Sequence, residues 1–181
     1  MGKRLNMTAF LAASVLMMGA QQAVPNPRVL VTVEGRGTFT IELFPNEAPK
    51  TVAHFLGLVR RKFYDGVRFH RIENVPKPFI MEAGDPLTKT LPLNDARIGT
   101  GGSGKKVPFE KNSVRFLNGT VGLSRDVRDK DSGDSRFFIC TGDQPFLDGK
   151  YVAFGRVVKG LALLPKIKLG DRITSIREVR G

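Results

Sequence analysis

The chain is poor in the residues that build most metal and disulfide sites. It has one cysteine, two histidines and no tryptophan among 181 residues. A single cysteine excludes an internal disulfide and the common cysteine-based metal sites. Two histidines leave little room for a histidine-rich zinc site. We therefore expect a function that uses no metal and no cofactor.

The remaining composition is typical of one soluble globular domain. Hydrophobic residues make up 41% and charged residues 25% of the chain, which excludes a disordered chain, a collagen-like repeat and a polytopic membrane protein. The 13 phenylalanines and 20 glycines favour short β-strands joined by turns. The length fits a single domain, with at most a small appendage.

The N-terminal segment has the pattern of a secretory signal peptide. Lys3 and Arg4 precede an uncharged apolar run over residues 7–20, which is short for a membrane span. We expect residues 1–23 to be a signal peptide and residues 24–181 to be one periplasmic or secreted domain. After leader removal we expect no stable membrane insertion. An uncleaved N-terminal anchor is the alternative.

The formal net charge is +12, and loss of the two basic leader residues would lower it to +10. A basic surface can attract polyanions, and polyanion binding is therefore one functional alternative. The aromatic residues are not interleaved with lysine and arginine as in single-strand binders, so we expect no nucleic-acid partner.

A glycine-rich segment at residues 99–106 (GTGGSGKK) nearly matches a phosphate-binding loop. Lys106 stands where that loop needs a hydroxyl residue for magnesium, and Pro108 would interrupt the helix that should follow. We interpret the segment as a flexible loop at the rim of the domain rather than a nucleotide site.

Hydrophobic periodicity predicts a mainly β-fold with two helices. Residues 49–60 place Val52, Phe55, Leu56 and Val59 at helical spacing, and residues 160–168 could form a second helix that Pro165 shortens or kinks. Alternating or apolar runs predict short strands, which favour an antiparallel barrel or sandwich. These runs are 28–34, 38–44, 67–72, 79–81, 120–124, 136–141, 152–158 and 173–179.

Several segments, in order, resemble the cyclophilins, a family of peptidyl-prolyl cis-trans isomerases. They are 49–55 (PKTVAHF), 63–71 (FYDGVRFHR), 79–85 (FIMEAGD), 137–141 (FFICT) and 146–158 (FLDGKYVAFGRVV). Together they cover nearly all of residues 28–180. The resemblance implies a closed eight-stranded antiparallel β-barrel capped by two α-helices, in a bacterial exported form.

The resemblance also implies an activity and its partners. A cyclophilin accelerates rotation about X-Pro bonds, whose barrier of about 18–20 kcal/mol comes from amide resonance. This reaction needs no nucleophile, metal or cofactor, only a proline pocket and a hydrogen-bond donor aimed at the prolyl nitrogen. The expected partners are proline-containing segments of unfolded or exported proteins, bound by a monomer. A weakly active or non-catalytic peptide-binding or chaperone module is the alternative.

The resemblance assigns Arg71 as the catalytic residue. A surface arginine paired with Glu82 is the structural alternative. The expected substrate-binding residues, each of which could instead be ordinary core or surface, are Phe79, Ile80, Glu82, Ser124, Arg125, Arg136, Phe138, Phe146, Leu147 and Tyr151. By strand alternation we expect Phe137 and His70 to face the core, where the polar atoms of His70 find hydrogen-bond partners. We also expect Cys140 to be buried.

This sequence departs from the family pattern mainly in charge. Glu82 and Arg136 occupy two positions where cyclophilins usually have glutamine. The carboxylate could orient Arg71 or compete with substrate for it, and Arg136 could hold the carboxylate away. We expect retained but reduced activity, with a preference for acidic or polar residues near the proline. Ile80, Phe146 and Tyr151 also replace the usual Met, Trp and His.

Overall fold

The computed structural model describes residues 25–179, and the predicted signal peptide at 1–23 lies outside this range. Within these residues, eight strands form one sheet. They are β1 (Arg28–Val33), β2 (Gly37–Leu43), β3 (Arg71–Glu73), β4 (Ile80–Ala83), β5 (Thr120–Leu123), β6 (Phe137–Cys140), β7 (Val152–Lys159) and β8 (Ile173–Val179). One α-helix, α1, spans Pro49–Arg60. Three 3-10 helices span Pro86–Lys89, Pro145–Leu147 and Leu161–Lys166.

The sheet is antiparallel throughout, in the order β3-β4-β6-β5-β7-β2-β1-β8. The eight-stranded antiparallel fold expected from the sequence is therefore confirmed. The sheet is curled, but its ladders do not close into the expected barrel, because β3 and β8 are not paired with each other. The segments preceding them join instead, since Phe69 N–H donates to Asp171 O at 2.9 Å and Ile173 N–H donates to Val67 O at 2.8 Å.

The first predicted helix is confirmed and the second is wrong. Helix α1 buries the apolar stripe expected from its spacing, including Val52, Phe55 and Val59. Residues 161–166 form a 3-10 helix because Pro165 has no N–H to donate and its ring blocks an α-helical turn. Within residues 25–179, no helix is long and apolar enough to cross a lipid bilayer.

The strand predicted over 67–72 is also wrong in extent. Only residues 71–73 pair as a strand, while Arg68 makes a single bridge to Arg172. The residues just before β3 are held by side-chain as well as backbone hydrogen bonds. Arg68 donates through Nε to Thr88 O at 2.5 Å and through Nη2 to Leu91 O at 2.8 Å.

Strand β6 is buried on both faces, and its outer face forms the base of the candidate functional site. Phe137 and Ile139 point into the main core, as alternation predicts for Phe137. Phe138 and Cys140 point the other way, into a second apolar cluster outside the barrel. That second cluster also contains Ile80, Phe116, Leu147 and Ala153, with Phe79, Val114 and Tyr151 packed against it.

Helix α1 has a cap from a distant part of the chain. Its N-cap residue Ala48 offers no side-chain acceptor. The carboxylate of Glu110 takes that place, accepting from the backbone N–H groups of Lys50 and Thr51 at 2.9 and 2.8 Å. It also accepts from Thr51 Oγ1 at 2.7 Å. A negative charge at a helix N-terminus is favourable because the free N–H groups carry partial positive charge.

We predict that Glu110→Ala lowers the free energy of unfolding by about 1 kcal/mol, the usual cost of losing an N-cap acceptor. Urea unfolding followed by circular dichroism measures this value. Glu47→Ala is the matched control, because Glu47 lies just before the same helix and its side chain makes no hydrogen bond within residues 25–179. Equal stability of the two variants would contradict the capping role of Glu110.

Candidate active site

The predicted catalytic residue lies in a row of side chains that crosses three strands. Arg71 on β3 pairs with Glu82 on β4, and Glu82 pairs with Phe138 on β6. Directly paired residues in an antiparallel sheet share one face, so these side chains lie on the outer face of the sheet. Arg136, two residues before Phe138, extends the same face. Strand register alone therefore brings the charged and apolar parts of the site together.

A cleft of about 130 Å³ opens on this face. Every residue predicted for the site lines it except Phe146, although the roles of these residues in binding stay predictions. The lining consists of Arg71, Phe79, Ile80, Glu82, Ser124, Arg125, Val127, Arg136, Phe138, Leu147 and Tyr151. Val127 was missed, because it lies in an irregular loop and is 79% exposed, so no periodic pattern marks it.

Aromatic rings form the apolar wall of the cleft. Phe138 stacks on Phe116 with ring centroids 5.6 Å apart, and Tyr151 meets Phe138 edge-on at 5.5 Å. Phe146 lies beside the cleft, with its ring 5.6 Å from that of Phe79 and 55% of the residue exposed. Phe146 therefore extends the apolar surface outward instead of closing the pocket.

The polar wall is an ionic cluster centred on Glu82. The Glu82 carboxylate is buried, and its two oxygens face different arginines. Oε1 lies 3.0 Å from Arg136 Nη1, and Oε2 lies 3.4 Å from Arg71 Nη1. Arg71 Nε donates to Glu73 Oε1 at 2.6 Å. Arg71 does pair with Glu82, as the structural alternative expected, yet 47% of its side chain stays exposed at the cleft.

His70 differs from its expected placement. It is buried, but it does not turn away from the site: its Nε2 lies 3.8 Å from Glu82 Oε1. Its Nδ1 makes no hydrogen bond of normal geometry in the described part of the chain. Burial lowers the pKa of His70, and the charge of Glu82 offsets only part of this effect. His70 is therefore neutral at pH 7.

Arg125 is a fixed positive charge at the opposite rim. Its guanidinium lies 4.7 Å from the centre of the Tyr151 ring. It donates to the backbone carbonyls of Lys150, Asp126 and Val127 at 2.8–3.2 Å. Within residues 25–179 it forms no ion pair with a carboxylate. The cation is thus held in place without being neutralised.

A second, larger cleft of about 690 Å³ adjoins the first and shares Arg125, Val127 and Arg136 with it. One side of the larger cleft is the glycine-rich loop. The backbone N–H groups of Gly99 and Gly101 donate to the buried carboxylate of Asp85 at 2.6 and 3.2 Å. These N–H groups are therefore occupied by a carboxylate of the chain itself.

The same carboxylates explain the glycine spacing. A β-carbon at Gly101 would collide with Asp85, and one at Gly102 would collide with Asp134. The N–H of Gly104 donates to Asp134 at 2.9 Å. The loop is consequently anchored at several points, and the expectation of a flexible loop is wrong. In residues 25–179, no three His, Cys, Asp or Glu side chains are arranged to hold a metal ion.

Comparison with known proteins identifies the family. The family model for "Cyclophilin type peptidyl-prolyl cis-trans isomerase/CLD" matches residues 28–179. The chain belongs to the cyclophilin family of peptidyl-prolyl cis-trans isomerases. The match includes all eight strands, both clefts and every residue predicted for the site, so the resemblance inferred from short motifs extends over the whole described domain.

Relatives of this cyclophilin occur in several bacteria. A Brucella suis protein named "Probable peptidyl-prolyl cis-trans isomerase" is 38% identical over 167 residues, covering 90% of this chain and 83% of that protein. A peptidyl-prolyl cis-trans isomerase of Synechococcus elongatus is 38% identical over 146 residues, covering 80% and 91%. A Cryptosporidium parvum cyclophilin structure shares the fold, with a TM-score of 0.74 at 24% identity over 86% of this chain and 99% of that one.

Cys140 lies under the cyclophilin cleft, in the second apolar cluster, and is buried as expected. Burial raises the pKa of its thiol to about 12, with smaller contributions from the charges of Asp143 and Asp148. Only the thiolate reacts with electrophiles and disulfides. Cys140 is therefore both inaccessible and protonated in the folded protein at neutral pH.

We predict that an aromatic disulfide reagent at pH 8 leaves Cys140 of the folded protein unmodified, while the protein in guanidinium chloride reacts with one equivalent. Absorbance of the released thiolate measures the reaction. The unfolded protein is the control for reagent quality. Modification of the folded protein at the rate of a free cysteine would contradict the burial of Cys140.

Proposed function

We propose that this cyclophilin isomerises X-Pro bonds held in the smaller cleft, with Arg71 as the catalytic residue. The observation that carries the proposal is the position of the Arg71 guanidinium. It is half exposed and borders a pocket whose other wall is Phe79, Phe138 and Leu147. A hydrogen-bond donor beside an apolar slot supplies the two features that catalysis of prolyl isomerisation uses.

The chemistry follows from the electronic structure of the amide. Rotation withdraws the nitrogen lone pair from the carbonyl, so the nitrogen becomes a better hydrogen-bond acceptor in the twisted state than in the planar states. A donor aimed at that nitrogen therefore stabilises the transition state more than the substrate. Arg71 Nε is engaged by Glu73 and Nη1 by Glu82, while Nη2 forms no hydrogen bond within residues 25–179. Nη2 is the donor that we assign to the prolyl nitrogen.

The apolar wall would hold the proline ring and keep water from the reacting bond. Phe138 and Leu147 are almost fully buried, so their places are set before a ligand enters. Excluding water strengthens the hydrogen bond from Arg71, because charges interact more strongly at low dielectric constant. No covalent bond is broken, so the pocket needs neither a nucleophile nor a cofactor.

The rim between the two clefts would hold the peptide chain around the proline. Ser124 Oγ is buried without a hydrogen-bond partner in the described residues, and it lines the smaller cleft. Arg125 and Arg136 line both clefts, and the charge of Arg136 is balanced by Glu82. The charge of Arg125, which has no carboxylate partner within residues 25–179, therefore favours acidic or polar residues near the proline of the substrate.

The signal-peptide pattern of residues 1–23 supports an activity outside the cytoplasm. We propose an exported enzyme, periplasmic or secreted, that acts as a monomer on proteins folding in the same compartment. The protected thiol of Cys140 suits an oxidising compartment, where an accessible unpaired cysteine would be open to disulfide exchange.

We predict that Arg71→Ala lowers kcat/KM for prolyl isomerisation about 100-fold, the usual cost of removing one donor to a developing charge. A protease-coupled assay on a proline tetrapeptide measures the rate. Arg60→Ala is the matched control, because Arg60 is an exposed arginine on α1 that pairs with Glu178. Equal rates for the native protein and Arg71→Ala, both at the uncatalysed value, would refute the catalytic proposal.

We also predict that residues 1–30, fused to a phosphatase that is active only outside the cytoplasm, give active enzyme in bacteria. Leu16→Arg should abolish that activity, because a charge in the apolar run blocks signal function. Leu5→Arg is the matched control, since it adds a charge to the basic start of the segment. Phosphatase activity with Leu16→Arg, or none with the native segment, would contradict export.

A further inference from the structure

The Glu82 carboxylate is shared between Arg71 and Arg136, which both line the smaller cleft, and only Arg71 is the proposed donor. We propose that Arg136 is a positioning residue: it holds one oxygen of Glu82 and so prevents the carboxylate from closing on Arg71. The Nη2 group of Arg71 then stays free for substrate. This inference rests on the proposed function of Arg71 and extends it to a pair of residues that must act together.

The geometry of the sheet sets up this competition. Glu82 lies on β4, between Arg71 on the neighbouring strand β3 and Arg136, the residue just before the neighbouring strand β6. The contact to Arg136 is the shorter one, 3.0 Å against 3.4 Å to Arg71. In the native protein the Glu82 carboxylate therefore lies closer to Arg136 than to Arg71.

Burial makes the competition severe. Glu82 is 4% exposed, and a buried carboxylate is costly unless cations or donors compensate it. His70 is the other basic group in contact, but its Nε2 is 3.8 Å away and its pKa is lowered by burial. If the charge of Arg136 is removed, Arg71 is the cation that remains to compensate Glu82.

The effect of a full contact between Glu82 and Arg71 depends on which N–H groups of Arg71 are still available. Arginine and carboxylate prefer a two-point contact through a pair of N–H groups. The Nε of Arg71 is already bound to Glu73 at 2.6 Å. Glu82 would then engage Nη1 and Nη2 together. Nη2 is the donor that we assign to the prolyl nitrogen, so closure of Glu82 would remove the catalytic hydrogen bond without moving the protein backbone.

A neutral residue at position 82 would end the competition. Glutamine has nearly the same shape as glutamate, and its amide carries no charge that Arg71 must balance. Glu82→Gln should therefore be tolerated, and it should restore a protein that lacks the charge of Arg136. The glutamate and the arginine thus form one unit, in which the arginine is needed because the glutamate is there.

The test is a double-mutant cycle of Glu82→Gln and Arg136→Gln, with kcat and KM measured for each protein. We expect Arg136→Gln alone to lower kcat about tenfold with little change in KM, which is within the range of couplings between contacting residues. We expect the double variant to recover to within about threefold of Glu82→Gln. Native activity of Arg136→Gln, or a double variant as impaired as Arg136→Gln, would overturn the proposal.

The matched control is the same cycle at Arg60 and Glu178, an ion pair of the same residue types between α1 and β8. Its glutamine variants should leave kcat unchanged and show no coupling in activity. Thermal unfolding of all variants is measured as well, and kcat is compared at a temperature well below the lowest unfolding midpoint. This separates loss of turnover from loss of stability, because Glu82→Gln also removes the buried unpaired charge that would destabilise Arg136→Gln.

A spectroscopic measurement makes the inference independent of turnover. The guanidinium signals of Arg71 in nitrogen-15 NMR are assigned by their loss in Arg71→Lys. In Arg136→Gln we expect the Nη protons of Arg71 to exchange more slowly with water, and in the double variant to return to native exchange. Unchanged Arg71 signals in Arg136→Gln would overturn the inference, while lack of isomerase activity in the native protein would refute the proposed function instead.

Discussion

Burial of β4 and β6 on both faces is the constraint on which the site depends. A sheet that faces water on one side would leave the row of Arg71, Glu82 and Phe138 in solvent. Here one face of these strands packs into the barrel core and the other into the second apolar cluster. The outer face is thereby dry enough to hold an apolar ring, and charges placed on it interact strongly.

The exclusion of water from this face also explains why Glu82 is paired with two arginines. A carboxylate at position 82 would be unstable in this environment by itself, and two arginines from the neighbouring strands compensate it. A neutral amide would need no such partners. Glu82 and Arg136 therefore act as a single unit in physical terms, and sheet geometry places the two residues side by side.

Carboxylates from distant parts of the chain also hold the structure around the site. Glu110 caps helix α1, Asp85 binds the glycine loop, and Asp134 binds the same loop further along. Each satisfies backbone N–H groups that would otherwise need water. The loop that resembles a phosphate-binding motif is thus folded around internal anions, because clustered backbone N–H groups bind any carboxylate of suitable geometry.

The sequence by itself determined helix α1, most strands, the core position of Phe137 and the candidate site. Periodicity records which face of an element is buried, and the cyclophilin motifs supply their order. It could not determine that residues 161–166 form a 3-10 helix or that His70 contacts Glu82. Nor could it show that Glu110 caps α1. Those outcomes depend on contacts between residues far apart in the chain, and only the tertiary structure decides which distant groups meet. The division of Glu82 between Arg71 and Arg136 is of this kind, since strand order sets it.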